Sequence, residues 1–110
     1  MKTKETRSWH LANAEARHKE SPATFHIPKR ETRERVKVGF YVKLIFETEV
    51  PMNGCWGERM WVEVTKRTKA GYEGIVRNSP AFLKDIVPGE EVTFGSEHIC
   101  DISYPDAKGG

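Results

Sequence analysis

The sequence lacks any long hydrophobic run and any apolar segment near its start. No stretch of its 110 residues comes near the roughly 20 apolar residues that a membrane-spanning helix needs. The opening residues 1–9 contain no hydrophobic run of the kind found in a secretory signal. We therefore predict a cytoplasmic protein with no membrane partner.

Cysteine is scarce, and the sequence offers no ligand pattern for a metal. Cys55 and Cys100 lie in different segments, without a Cys-x-x-Cys pair or a histidine at ligand spacing. Three histidines recur every eight residues at His10, His18 and His26, but Pro22 breaks any helix that would align them. We predict no metal and no cofactor, and a disulfide only in an oxidising compartment.

The sequence also lacks a Gly-rich turn of the kind that presents a catalytic nucleophile. Near the end of the chain Glu97, His98, Cys100 and Asp101 place an acid, an imidazole and a thiol close together. His98 and Cys100 are two residues apart, so on a strand they would share one face. No Gly-rich elbow accompanies them to support a nucleophile. We predict a packed His/Cys pair and no catalytic residue, with a small hydrolase-like enzyme that uses His98 as an alternative.

Charges of both signs are present, and their distribution is uneven. The net charge is +2, but residues 1–43 carry eleven Lys and Arg against five Glu, whereas residues 44–110 carry seven against eleven acidic residues. Five cations of the front half form a cluster that is suited to phosphates, which makes nucleic-acid binding an alternative function: Lys29, Arg30, Arg33, Arg35 and Lys37. Because Glu31 and Glu34 interrupt this cluster and no aromatic residue does, we favour a solvated helical turn.

The chain is organised around a predicted hairpin in residues 58–80. Met60, Val62 and Val64 alternate with charged and polar residues, which is typical of a strand with one apolar face. A loop that contains Gly71 then turns the chain back into a second strand. An isolated hairpin is marginally stable in water, so the rest of the chain must pair with it or cover its apolar face.

Before the hairpin, the sequence predicts a helix over 9–19, an extended segment at 25–27 and a helical turn in 29–36. A strand over 40–47, with Phe40, Val42, Leu44 and Phe46 inward, and a loop over 48–57 then lead into it. After the hairpin follow a helical turn over 80–85, a turn over 87–90 with Pro88 at its first central position, and strands at 91–95 and 98–102. The sequence thus predicts an α+β fold. It would be a small, strongly bent antiparallel sheet or barrel of about five strands, with an N-terminal helix and short helical turns. We expect a helical arm over residues 1–22, a β-rich domain over 23–103 and a flexible tail over 104–110.

Three groups of residues carry a resemblance to a known family: Glu58-x-Met60-Trp61-Val62, then Gly74-x-Val76-x-Asn78-x-Pro80, then Pro88-Gly89-x-x-Val92-x-Phe94 followed by Ile99-x-Asp101. Residues 25–102 resemble the bacterial proteins that are grouped as domain of unknown function 2314. The resemblance implies a compact β-rich fold and supplies no catalytic residues. Glu90 stands where an Asp usually follows the glycine of such Pro-Gly-Asp turns, and Phe40 stands at the equivalent place after Gly39.

Trp61 is the residue that most suggests a binding surface, because it shares a strand face with Arg59 and Glu63. We predict a non-catalytic binding module that recognises an anionic small ligand or a protein partner through an aromatic and cationic surface, formed by Trp56, Arg59, Trp61, Tyr72 and Arg77, with Met52 on the adjacent loop. The alternative is that the N-terminal helix covers this face and Trp61 belongs to the core. For Asn78 we predict a bond to nearby backbone. The sequence leaves the oligomeric state open, a homodimer included.

Overall fold

A computed structural model describes residues 9–52, 55–83 and 86–105. Within these residues six strands form a single sheet, and they are β1 (Trp9–Leu11), β2 (Tyr41–Met52), β3 (Cys55–Arg67), β4 (Tyr72–Val76), β5 (Glu91–Phe94) and β6 (Ile99–Ser103). Two short helices, α1 (Ala14–Glu20) and α2 (Arg30–Arg33), precede β2, and a single 3-10 turn, Ser96–His98, joins β5 to β6. None of the helices in the described part of the chain has the length and apolar character needed to span a bilayer.

The sheet is antiparallel and strongly curled. Strands β2 to β5 form a meander in chain order, while the outer edge of β2 pairs with β1 at residues 46–48 and with β6 at residues 41–44. Strands β5 and β6 therefore lie at opposite edges, about 19 Å apart if the sheet were flat. The three-residue 3-10 turn that connects them rises only about 6 Å. The strands accordingly curl into a half-barrel, which confirms the predicted strongly bent antiparallel sheet.

The apolar alternation of β2 and β3 determines which face of the sheet is buried. The even-numbered side chains of both strands fill the inside of the curl, and they are Val42, Leu44, Phe46, Met60, Val62 and Val64. Phe40 is partly buried against them, so the predicted inward set is confirmed. Leu83 and Ile86 add to this core, as does Trp9, whose ring meets Phe46 edge-on at 5.0 Å.

Two turns of the same design lead into β2 and β5. Gly39 and Gly89 have positive φ angles of 96° and 93°, which glycine adopts without a steric penalty. Each glycine donates its N–H to the neighbouring strand, Gly39 to Val64 O at 2.8 Å and Gly89 to Val76 O at 2.7 Å. The turn predicted over residues 87–90 is confirmed.

The N-terminal helix is shorter than predicted. Trp9–Leu11 form β1 instead of a first helical turn, because their backbone pairs with β2 and the indole of Trp9 enters the core. Helix α1 begins at Ala14, after Asn13 caps it by accepting the N–H of Ala16 at 2.9 Å. The predicted helix is thus wrong for residues 9–11 and right for 14–19.

Three further boundaries differ from the prediction. The loop over 48–57 is mostly strand, because β2 continues to Met52 and the register of the hairpin shifts between Glu47 and Met52, which accommodates Pro51. Residues 81–83 form a bend and not a helical turn, while Lys84 and Asp85 lie outside the described residues. Residues 25–27 form no strand. The side chain of Met52, residues 1–8 of the predicted arm and residues 106–110 of the predicted tail also lie outside the described part of the structure.

Candidate functional site

The outer face of the half-barrel carries the odd-numbered side chains of β2 and β3. In the hairpin register Lys43 lies opposite Trp61, and Tyr41 lies opposite Glu63. Arg59 and Glu63 flank Trp61 along β3, about 7 Å away on either side, whereas the cross-strand neighbour Lys43 is about 5 Å away between Cβ atoms. Trp61 is therefore the centre of a polar surface with aromatic and cationic neighbours.

Hydrogen bonds from the end of β4 fix the backbone of Trp61. Its N–H donates to Oδ1 of Asn78 at 2.5 Å, and its carbonyl accepts the N–H of Arg77 at 3.0 Å. Asn78 thereby extends the ladder beyond the last residue of β4, with its side chain in place of backbone. The prediction that Asn78 bonds backbone is confirmed, but its partner lies on β3, 17 residues away, and not in the turn that follows.

Two other residues that carry the family resemblance also attach β4 and its following segment to β3. The carboxylate of Glu58 accepts the N–H groups of Ala81, of Phe82 at 3.0 Å and of Leu83 at 3.1 Å. Burial raises the pKa of Glu58, but these three bonds outweigh burial and leave that pKa below its ordinary value. Gly74 lies so close to β3 that a Cβ would come within 2.6 Å of the carbonyl oxygen of residue 63. Both contacts hold β4 and the segment after it against β3.

The indole lines an open depression of about 550 Å³ on the outer face. The other lining residues are Tyr41, Arg77, Asn78 and Ser103. Nζ of Lys43 lies 4.8 Å from the centre of the Trp61 ring, a distance at which the ring attracts a cation. On the other side, the guanidinium of Arg77 bonds to Oε1 of Glu63 at 2.8 and 2.9 Å, so Arg77 already has an ion-pair partner.

A second depression, of about 420 Å³, is lined by Lys43, whose ammonium contacts the Trp61 ring of the first one. Its lining residues are His26, Ile27, Pro28, Lys43, Arg59, Cys100 and Asp101. The guanidinium carbon of Arg59 lies 5.4 Å from the ring centre of Phe25, in the segment that covers this part of the sheet. Within the described residues neither Lys43 nor Arg59 forms an ion pair. Asp101 on β6 is the cross-strand partner of Lys43 on β2. Its Oδ1 accepts the N–H of Ile102 at 2.8 Å.

The structure brings together three of the five predicted site residues. Arg59, Trp61 and Arg77 share the outer face, as predicted. Trp56 lies further toward the tip of the hairpin and is 58% exposed. Tyr72 lies on the inner face, where it stacks on Phe94 at 5.4 Å and donates its hydroxyl to the carbonyl of Arg33 at 2.7 Å. Burial raises the pKa of Tyr72, which keeps it a neutral donor.

Two site residues, Tyr41 and Lys43, escaped the sequence analysis. Both stand at odd positions in the predicted strand 40–47, between the inward residues, and Lys43 is the one charged residue of 40–46. The alternation alone therefore places them on the outer face. Only the cross-strand register, which the sequence did not supply, places Lys43 opposite Trp61.

The basic cluster of the nucleic-acid alternative is divided by the structure. Lys29, Arg30, Arg35 and Lys37 are exposed, whereas Arg33 is 4% exposed and holds the fold together. Arg33 donates to Oε2 of Glu15 at 2.7 Å and to the carbonyl oxygens of residues 28 and 96, both at 2.8 Å. The bond from Arg33 keeps the pKa of Glu15 below its ordinary value. One of the five predicted cations is thus inaccessible to a phosphate.

The residues of the hydrolase alternative lie in a different arrangement from the one predicted. His98 ends the 3-10 turn, where its Nδ1 accepts the N–H of Gly95 at 2.9 Å, and Cys100 donates its thiol to the carbonyl of Lys43 at 3.2 Å. The strand over 98–102 starts at Ile99, so the prediction that His98 and Cys100 share a strand face is wrong. Burial lowers the pKa of His98 and raises that of Cys100, which favours a neutral imidazole and a protonated thiol. In the described part of the chain no three His, Cys, Asp or Glu side chains form a group that would hold a metal ion.

Comparison with known proteins gives one match. A family model that is described as an uncharacterized protein conserved in bacteria matches residues 9–109. The matched range includes β1 and α1, which lie before the residues that carry the resemblance in the sequence analysis. The search of curated proteins and the search of solved structures each returned no match.

Proposed function

Because the chain belongs to DUF2314, a family of bacterial proteins whose description gives no activity, we propose a function from the geometry: a non-catalytic binding module for an anionic small ligand. The binding surface is the outer-face group Tyr41, Lys43, Arg59, Trp61 and Arg77, which we name the Trp61 patch. It keeps the predicted Arg59, Trp61 and Arg77, and adds the two residues from β2.

One observation carries this proposal, namely the position of the Trp61 indole. Trp9, a core tryptophan, is 3% exposed, whereas Trp61 is half-buried and faces a depression. An aromatic ring that borders a depression beside cations offers stacking and charge to the same ligand. Asn78 and Arg77 bond to the backbone of Trp61, so the position from which the ring projects is fixed before any ligand arrives.

The charges of the patch favour an anion. Glu63 pairs with Arg77, but Lys43 and Arg59 have no ion-pair partner among the described residues. Two cations beside an aromatic surface attract a negative group more strongly than an isolated surface lysine does, although the Asp101 carboxylate opposite Lys43 offsets part of their charge. Depressions of about 550 and 420 Å³ suit a small molecule, and a protein partner is the alternative occupant.

Native mass spectrometry of the purified protein tests the proposal. We expect a bound small molecule that disappears on denaturation and that is absent from Trp61→Ala. The matched control Trp56→Ala, which removes an exposed tryptophan nearer the hairpin tip, should retain it. Circular dichroism checks that both variants remain folded. A ligand that Trp61→Ala retains would place binding elsewhere. A clean mass, followed by capture of a protein or nucleic acid that does not depend on Trp61, would reject the proposal.

A further inference from the structure

The two depressions of the Trp61 patch have different chemistry. The first is bordered by the rings of Tyr41 and Trp61, and its only guanidinium in the described structure, that of Arg77, is already paired with Glu63. It offers aromatic surface with little free charge. The second contains the two unpaired cations, Lys43 and Arg59. A ligand that fills both therefore needs an uncharged flat part and a separate anionic part.

The register sets how far apart those two parts must be. Lys43 lies directly across from Trp61, and Arg59 is two residues away along β3. The Cβ atoms of the two cations are therefore about 5 Å and about 7 Å from that of Trp61, and the Lys43 ammonium is 4.8 Å from the centre of its ring. A flat ring on Trp61 and an anion between Lys43 and Arg59 must be joined by a spacer of a few bonds, about the width of a sugar ring.

The cations themselves indicate which anion fits. An ammonium and a guanidinium that border one depression provide two positive charges and several donors, and Arg presents its N–H groups as a planar fork. A phosphate monoester carries a charge of about −1.5 to −2 and three acceptor oxygens at neutral pH, so it satisfies both cations at once. A single carboxylate carries one negative charge and two acceptor oxygens, so it interacts with the two cations less strongly.

Lys43 connects the two halves of the site. Its ammonium now lies 4.8 Å from the ring centre of Trp61, and the same side chain lines the second depression. A ring that stacks on Trp61 competes with this ammonium, which can then turn toward an anion beside Arg59. From this juxtaposition, and resting on the proposed function, we infer that the ligand class is a planar ring joined through a short spacer to a phosphate, as in a nucleoside monophosphate.

Two other titratable groups face the phosphate position. Asp101 lies opposite Lys43, and His26 lines the same depression. The Asp101 carboxylate repels an anion at Lys43, so Asp101→Asn should tighten phosphate binding. This change should not alter the affinity for an uncharged ring.

Isothermal titration calorimetry with adenosine monophosphate as the probe tests the inference, with adenosine and inorganic phosphate as the two separate parts. We expect the monophosphate to bind at least tenfold more tightly than either part. Lys43→Ala and Arg59→Ala should each weaken monophosphate binding roughly tenfold, the usual effect of losing a charge-assisted hydrogen bond. Arg59→Ala should leave adenosine binding unchanged, and Lys43→Ala, which removes the ammonium that competes for the Trp61 ring, should not weaken it. Trp61→Ala should abolish the binding of both. Lys69→Ala, which removes an exposed lysine from the β3–β4 turn, is the matched control and should have no effect.

The outcomes separate this inference from the proposed function. If inorganic phosphate binds as tightly as the monophosphate, or if Lys43→Ala and Lys69→Ala behave alike, the ring-plus-phosphate class is wrong. If the monophosphate does not bind but native mass spectrometry shows a different anion that depends on Trp61, the inference fails and the proposed function stands. If no small molecule depends on Trp61, both fail.

Discussion

The carboxylate of Glu58 is a single group that attaches residues 81–83 to the sheet, so its removal should have a measurable cost. Glu58→Ala removes the acceptor of three backbone N–H groups. Ala81 and Phe82 are exposed, so water replaces their bonds at small cost, whereas Leu83 is buried. With the discount that partial exposure requires, we estimate a loss of about 2.5 kcal/mol in the free energy of unfolding. Glu58→Gln keeps a neutral acceptor and should lose about half as much.

The pH dependence gives this prediction its second test. The folded-state pKa of Glu58 lies below the ordinary value of 4.5, so the carboxylate stabilises the protein fully above that value. As the pH falls through the folded-state pKa, the carboxyl group becomes protonated and the stabilisation is lost. The stability difference between the wild type and Glu58→Gln should therefore be largest at pH 7 and should shrink below about pH 4.

Urea denaturation at pH 7 and at pH 3.5, followed by circular dichroism, measures both quantities. The matched control is Glu91→Gln, which removes an exposed carboxylate from β5 and should change stability by less than about 0.5 kcal/mol. Equal stability of Glu58→Gln and Glu91→Gln at pH 7 would refute the structural role of Glu58. A difference that stays constant between the two pH values would refute the role of its charge.

Two further predictions concern the packing of β4 and the buried arginine. Gly74→Ala should lower the free energy of unfolding by about 2–3 kcal/mol, because its Cβ would lie 2.6 Å from the carbonyl oxygen of residue 63. Gly39→Ala is the control: its Cβ would meet open space, so only the strained φ of +96° should lower the free energy of unfolding, by about 1–2 kcal/mol. Equal losses for the two variants in urea denaturation would contradict the close approach at Gly74. Arg33→Met should lower the free energy of unfolding by about 3 kcal/mol, because it removes a buried guanidinium that bonds to three groups. Glu15→Gln should lower it by only about 1 kcal/mol at neutral pH, because Glu15 is one-third exposed. The effect of Glu15→Gln should vanish as the pH falls through the lowered pKa of Glu15, and an effect that persists in acid would contradict the ion pair.

Local patterns in the sequence predicted the strands well wherever the inner and outer residues alternate. Residues 40–47 and 58–66 have this alternation, and their inward side chains form the core. The pattern failed for Trp9–Leu11, since three residues are too few to show a period, and strong helix formers follow them. It also failed for the hairpin tip, where Pro51 and two glycines signal a loop although the ladder resumes after a shift in register. Such features depend on pairing with distant residues, which no local pattern reveals.

The sequence predicted which face of the sheet most site residues occupy, but not which residues lie next to each other on that face. Alternation places Arg59 and Trp61 on the outer face, and Arg77 follows β4 beside them. The same reasoning would have placed Tyr72 inward, because it is separated by two and four residues from Gly74 and Val76, which are buried. The association of Trp61 with Lys43 required the register of the hairpin, and the position of Arg33 required its partners on three other segments.

The shared outer edge of β2 has a consequence for the order in which the chain folds. As the chain leaves the ribosome, β2, β3 and β4 can pair as local hairpins, whereas the partner of residues 41–44 is β6, whose Cys100 contacts Lys43 from 57 residues away. That half of the edge therefore stays unpaired until almost the whole described chain has been synthesised. Closing so distant a pair is slow, because the loop entropy is lost before the contacts form. The nascent protein thus exposes the edge of its longest hairpin during synthesis, which makes this interval the one in which pairing with another chain competes with folding.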